Sequence, residues 1–237
     1  MKQANRIKAA QREGRLAYGY HLEFPSPWIV EILAMQAFDF VWIDGEHGPF
    51  GLDQIEEICR TAESVGVTPI ARVPDLNAST ILRFLDRGIM GILGPHIAGR
   101  ADVEQLVKAC YFGPLGERSF GGNRGTNYNH GISDKAAYYR ESNANMLVGA
   151  LLEDASVIDN LDEILAVPGV DYFGIGMNDF AQSLGFPGEP EHPEVQRASA
   201  EISERIRRAG RKMNHDIMAS VWVRELLTGS AERFLRQ

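Results

Sequence analysis

Apolar and polar positions along the 237-residue chain follow a repeating order: a short apolar run, a polar turn, then an amphipathic stretch. The runs fall at residues 16–21, 38–44, 68–72, 90–94, 146–153, 170–176 and 213–218. Each is the length of a strand and too short for an ordinary helix. Between them apolar residues recur at helical steps. Ile55, Ile58, Cys59 and Ala62 mark one face, and Ile81, Leu82, Phe84 and Leu85 a second. Val103, Leu106, Val107 and Cys110 mark a third, and Ile202, Ile206 and Ala209 a fourth. Strand then helix, seven times over, predicts a parallel sheet, because parallel neighbours need a crossover connection. A closed (β/α)8 TIM barrel, one domain over residues 1–237, fits this order best; an open doubly wound sheet is the alternative.

Two features qualify the barrel. Six glycines, Gly113, Gly116, Gly121, Gly122, Gly125 and Gly131, crowd one segment. It reads as a long βα loop of the kind that carries function. The second feature is the C-terminal end, where little remains after a helical pattern at 220–228. An eighth strand and helix need roughly 20 further residues. The barrel is therefore expected to be C-terminally short: unclosed, closed by a truncated piece, or completed by another chain.

Composition narrows the function. A formal net charge of −8 argues against a nucleic-acid partner. No apolar run reaches the ~18 residues of a membrane helix. Residues 1–15 are polar and lack a signal-peptide core. Cys59 and Cys110 have no metal-ligand spacing, which suits a reducing cytoplasm.

Chemistry concentrates at strand ends. The run Phe40-Val41-Trp42-Ile43 stops abruptly at Asp44-Gly45-Glu46-His47-Gly48-Pro49. In parallel barrels the active site lies at the C-terminal ends of the strands. There the runs deliver His21; Asp44, Glu46 and His47; Arg72; Pro95 and His96; Glu153; and Asp179; with His215 and Asp216 after the last. Glu153 and Asp179 form a natural pair for a hard divalent ion; their plainer reading is helix capping. Arg72 suits a carboxylate or an enolate oxygen, or else a structural salt bridge. His47 suits a general base, or else a hydrogen-bonded turn. The five lysines, Lys2, Lys8, Lys108, Lys135 and Lys212, all miss the strand ends. A Schiff-base barrel needs one there, so a metal-dependent route is preferred.

Together these segments resemble the class II pyruvate aldolases of the HpcH/HpaI type. That family includes 4-hydroxy-2-oxoheptanedioate aldolase, the 2-keto-3-deoxy-sugar-acid aldolases and macrophomate synthase. The likeness runs from about Pro27 to Gly229. It rests on Ile43-Asp44-Gly45-Glu46-His47-Gly48-Pro49, Ala71-Arg72-Val73-Pro74, Phe84-Leu85-Asp86-Arg87-Gly88, Leu152-Glu153, the segment from Gly176 to Gly185, and His192-Pro193-Glu194-Val195. It implies a divalent metal, Mg²⁺ first with Mn²⁺ or Co²⁺ as alternatives, on Glu153 and Asp179. It implies that Arg72 stabilises the enolate oxygen and His47 moves protons, oriented by Asp86 and by Asp44. Backbone amides at Gly176, Met177 and Asn178 would hold the pyruvate carboxylate, and His21 would stand on the acceptor side. Relatives of this type form homo-oligomers, hexamers built from dimers that exchange their last helix.

Four departures stand out. Leu151 replaces a family glutamine, and Gly176-Met177-Asn178-Asp179 replaces a Gly-Pro-x-Asp pattern. His21 stands in place of a tryptophan, and the terminal portion is short. The expected function is a metal-dependent carbon–carbon lyase. It would cleave 4-hydroxy-2-oxo acids to pyruvate and an aldehyde through a metal-bound pyruvate enolate. The alternatives are a citrate-forming or macrophomate synthase-like condensing enzyme, and a catalytically silent paralogue acting as a binding subunit.

Overall fold

The computed structural model describes residues 4–236; Lys2 lies outside them. After α1 (Arg6–Arg12) the elements run β1 (Ala17–Leu22), α2 (Pro27–Ala34), β2 (Phe40–Asp44), α3 (Leu52–Ser64), β3 (Thr68–Arg72) and α4 (Ala78–Arg87). Then follow β4 (Gly91–Ile97), α5 (Arg100–Cys110), α6 (Lys135–Asn145), β5 (Leu147–Leu152), α7 (Val157–Leu165) and β6 (Tyr172–Ile175). The chain ends with α8 (Met177–Ser183), α9 (Pro193–Arg208), β7 (Met218–Trp222) and α10 (Val223–Leu235). No helix among the described residues is long and apolar enough to cross a membrane.

The seven strands form one parallel sheet in the order β6-β5-β4-β3-β2-β1-β7. The sheet is strongly curled, as chain connectivity requires. Met213 bridges to Phe173 on one edge, and Met218 pairs with Ala17 beside the other. The residues from Met213 to Met218 can span at most about 18 Å. A flat sheet of this size would hold its edges about 29 Å apart.

Alternation along the strands separates two apolar layers. Val41, Ile43, Ala71, Ile92, Val148 and Phe173 face the helices. Phe40, Trp42, Ile70, Leu93, Leu147 and Tyr172 fill the inside of the curl. The inner space is tight: a Cβ on Gly149 would lie 2.2 Å from the Tyr172 ring. Helix α1 plugs the lower end with the fully buried Ile7 and Ala10. Asn5 caps this helix and ties it down, donating from Nδ2 to the carbonyls of Met90 and Asn145.

Two expectations are corrected. Residues 213–217 are not a strand; of the expected run only Met218 belongs to one, as the first residue of β7. The others make a single bridge and one 3₁₀ turn, Asn214–Asp216, so His215 and Asp216 stand on that exposed turn. The strand beside β1 is β7, and a 13-residue helix follows it. Among the described residues the sheet thus has seven strands and the last is followed by its own helix, so the expected C-terminal shortening is not confirmed. The glycine-rich segment is not a βα loop either. It follows α5, and Arg124 within it pairs with Glu63 at the end of α3, on the side of the strand N-termini.

Asp39, at the foot of β2, locks this lower end. Its buried carboxylate accepts from Arg15 Nη1 at 2.7 Å, Arg6 Nε at 3.2 Å and the Tyr18 amide at 3.0 Å. Burial alone would raise its pKa; the bonds from Arg15, Tyr18 and Arg6 outweigh that and hold it below its ordinary value. A carboxyl depressed in the folded state stabilises above its unfolded pKa of about 4. That stabilisation fades as pH falls through the folded value. Asp39→Asn is expected to cost on the order of 1–3 kcal/mol at pH 7 and to flatten the loss of stability in acid. Urea unfolding at pH 7 and in mild acid checks this; an unchanged acid sensitivity would contradict it.

Candidate active site

The alternation that fills the curl also aims the charges. Asp44 shares parity with Phe40 and Trp42, Arg72 with Ile70, and Glu153 with Leu147 and Leu151, so their side chains emerge above the inner layer. Parallel register sets Asp44 opposite Arg72. Around these ends lies a cavity of about 390 Å³. His21, Trp42, Asp44, His47, Arg72 and Leu93 line one part of it. Leu151, Glu153, Ile175, Gly176, Met177, Asn178, Asp179 and Trp222 line the rest. Every residue to which the resemblance gave a catalytic, metal or binding role, except Asp86, therefore lines this cavity, and the lining contains no lysine.

Arg72 is held as a fork. Its Nε donates to Asp44 Oδ1 at 3.0 Å and its Nη2 to Asp44 Oδ2 at 2.6 Å, while Nη1 lies 3.1 Å from Glu46 Oε2. Burial works against the ionised Asp44, but Arg72 and the amides of His47 and Glu46 prevail and lower its pKa. Those amides donate to Asp44 Oδ1, so Asp44 shapes the turn that carries His47. It does not touch the His47 ring, which is largely exposed and 4.0 Å from Glu46 Oε2. Asp86 sits on α4 in the field of Arg118 and Tyr138, away from the cavity, so one chain does not bring it to His47.

Glu153 is the most buried charge of the site. Gly176 makes room for it: a Cβ there would stand 2.2 Å from Glu153 Oε1. Oε2 accepts from the His96 amide at 3.0 Å and lies 3.1 Å from His96 Nδ1. Burial first, then the charges of Glu46 and Asp179, raise the Glu153 pKa against the pull of His96. His96 also reaches Glu46, Nε2 to Oε1 at 2.8 Å. It does so from a left-handed backbone, φ 53°, at an irregularity in β4.

Sequence reasoning had placed His96 and Glu46 at strand ends without a role; their link across three strands depends on that irregularity, which carries no pattern. It also missed Trp42 and Trp222. The parity of Trp42 with Asp44 was a usable signal; Trp222 had none, because its strand was misplaced.

The donor set fits a hard divalent ion. A buried carboxylate, Glu153, whose ionisation is hindered, has Asp179 as an acidic neighbour, and both are oxygen donors. They form a pair. Among the described residues no group of three His, Cys, Asp or Glu is arranged around a metal position, so substrate and water would complete the shell.

Comparison with known proteins bears on the family and the fold. The family model of HpcH/HpaI aldolase/citrate lyase matches residues 18–236. A 4-hydroxy-2-oxovalerate aldolase of Rhodococcus jostii is 33% identical over 211 residues, which cover 87% of this chain and 79% of that protein. One of the same name from Novosphingobium aromaticivorans is 33% identical over 232 residues, 98% of this chain and 87% of that protein. The crystal structure of an HpcH/HpaI aldolase from Desulfitobacterium hafniense superposes with a TM-score of 0.88. At 24% identity, covering 98% of this chain and 96% of that one, it supports the fold. On the family match and these relatives together, the chain belongs to the HpcH/HpaI aldolase/citrate lyase family.

Proposed function

We propose that the chain is a class II pyruvate aldolase that cleaves 4-hydroxy-2-oxo acids to pyruvate and an aldehyde and catalyses the reverse condensation. The observation that carries this reading is the convergence of a clamped guanidinium, Arg72, and a buried carboxylate, Glu153, on one cavity with a largely exposed imidazole, His47, at its rim. Glu153 and Asp179 would hold the divalent ion. When bound, that ion polarises the 2-oxo group and offsets negative charge.

The rest falls to this chain's own residues. His47 takes the proton of the 4-hydroxyl as the C3–C4 bond breaks. The hydroxyl carbon becomes the aldehyde carbonyl, and the electron pair passes to C3 and the 2-oxo oxygen as an enolate. Arg72, kept ionised and oriented by Asp44, donates to that oxygen. Return of a proton to C3 gives pyruvate. Backbone amides at the start of α8 suit the pyruvate carboxylate. The fold reads as a (β/α)8 barrel whose seventh unit is reduced to the Met213 bridge, and the chain as a single-domain homo-oligomer.

Glu153→Ala and Asp179→Ala are each expected to abolish turnover and to weaken divalent-ion binding in calorimetry. Near-normal, metal-stimulated turnover in either would refute the metal assignment. Arg72→Ala is expected to slow exchange of pyruvate methyl protons with D₂O by about 10²–10³. Arg72→Lys should recover little, since a fork is replaced by a point charge; normal exchange would remove Arg72 from this role. Self-association is supported by the apolar residues standing out on α2, just past its end and on α10: Trp28, Met35, Phe234 and Leu235 are each more than 70% exposed. Light scattering is expected to show an oligomer that Met35→Glu weakens; a stable monomer would count against it.

A further inference from the structure

The cavity has two chemically different halves. Arg72, Glu153 and Asp179 occupy the side of β3, β5 and α8. The side of β1 and β7 is an aromatic wall. There the His21 ring stacks between Trp42 and Trp222, with centroids 4.6 Å and 4.2 Å away and interplanar angles of 26° and 21°. Register produces the stack, since His21 is the direct partner of Trp42 on one side and Trp222 on the other. A 2.9 Å contact between His21 Nε2 and Ser220 Oγ fixes the middle ring.

Burial pushes the His21 pKa down to about 4, so the ring is neutral at neutral pH. Leu151 continues the apolar surface across the floor. Apart from histidines, Arg72 is the sole cationic side chain in the lining among the described residues, and Asp44 and Glu46 already engage it. Arg224 stands 5.9 Å from the Trp222 ring, outside the lining, and is paired with Glu23 at 3.0 Å.

We infer that the acceptor half of the site takes an uncharged aldehyde bearing an apolar or aromatic substituent, and that Trp222 is the residue that selects it. This rests on the aldolase reading above and specifies its second substrate. A carboxylated or phosphorylated aldehyde would face rings with no spare cation and a cluster of carboxylates. A polyol tail would leave hydroxyls unpaired against the same rings. An apolar tail loses nothing there and covers indole surface. Trp222 is 36% exposed, so it has area left to bury.

The test is condensation of pyruvate, with Mg²⁺ present, onto benzaldehyde, succinic semialdehyde and glyceraldehyde. It compares the unmodified protein with Trp222→Ala and Trp222→Phe. Exchange of pyruvate methyl protons in D₂O, without aldehyde, reports enolate formation independently. For the unmodified protein, kcat/KM for benzaldehyde is expected to exceed that for the other two by about tenfold or more. Trp222→Ala is expected to cut that ratio about tenfold, mainly through the KM for benzaldehyde, and Trp222→Phe to restore most of it. Preference for the charged or polyol aldehyde, or an unchanged ratio in Trp222→Ala, overturns the inference while normal exchange leaves the aldolase reading standing. Absence of exchange in the unmodified protein overturns both. Should Trp222→Ala fail to fold, the ratio in the unmodified protein alone decides the aldehyde class.

Discussion

A parallel sheet buried on both faces leaves charge few places except the strand ends, and this constraint organises the molecule. The helix-facing layer and the inner layer are both apolar, so an ionised group within either would lack water and partners. Strand period then decides which terminal residues turn inward. Asp44, Arg72, Glu153 and His21 follow inner-layer residues at two-residue steps and reach one cavity. Asp39 obeys the same rule at the opposite end, where it fastens Arg6 and Arg15. Charge at the foot holds the chain together; charge at the top is left to do chemistry.

That rule is local, which is why much of the site was legible in the sequence. The end of β2 and the run of β3 can be read directly from where apolar residues stop and Asp44 or Arg72 begins. Glu153 and Asp179 follow in the same way. What sequence could not give was relation across the sheet. His96 links Glu46 to Glu153 through a left-handed residue at a strand irregularity. Asp86 shares its helix with core positions yet lies away from the cavity. The glycine-rich segment looked like a functional loop because α6, the helix after it, buries no residue and so carries no apolar stripe to reveal it. The last strand was misplaced for a related reason. Met213, Ile217 and Met218 suggest a strand, but Asn214, His215 and Asp216 between them form a turn, and the segment is a link between sheet edges.

Crowding of like charges is the other theme. Burial first, then the charges of Glu46 and Asp179, make ionisation of Glu153 costly. The structure answers with Arg72 and His96 on two sides. Such a cluster is unfavourable for folding and useful for holding a cation, a trade common where function overrides local stability.

The position of Trp222 has a consequence for how such a protein can change over time. The half of the cavity that carries Arg72 and Glu153 is built on consecutively paired strands, so altering any one disturbs its neighbours on both sides. Trp222 ends a strand paired on one side only, with a short irregular link as its other boundary. Residues there can be exchanged, or the link lengthened, with the paired registers beneath Arg72 and Glu153 left intact. The molecule thus divides into an inherited reaction and an adjustable appetite, with the seam between β7 and β6 as the place where new preferences can be written.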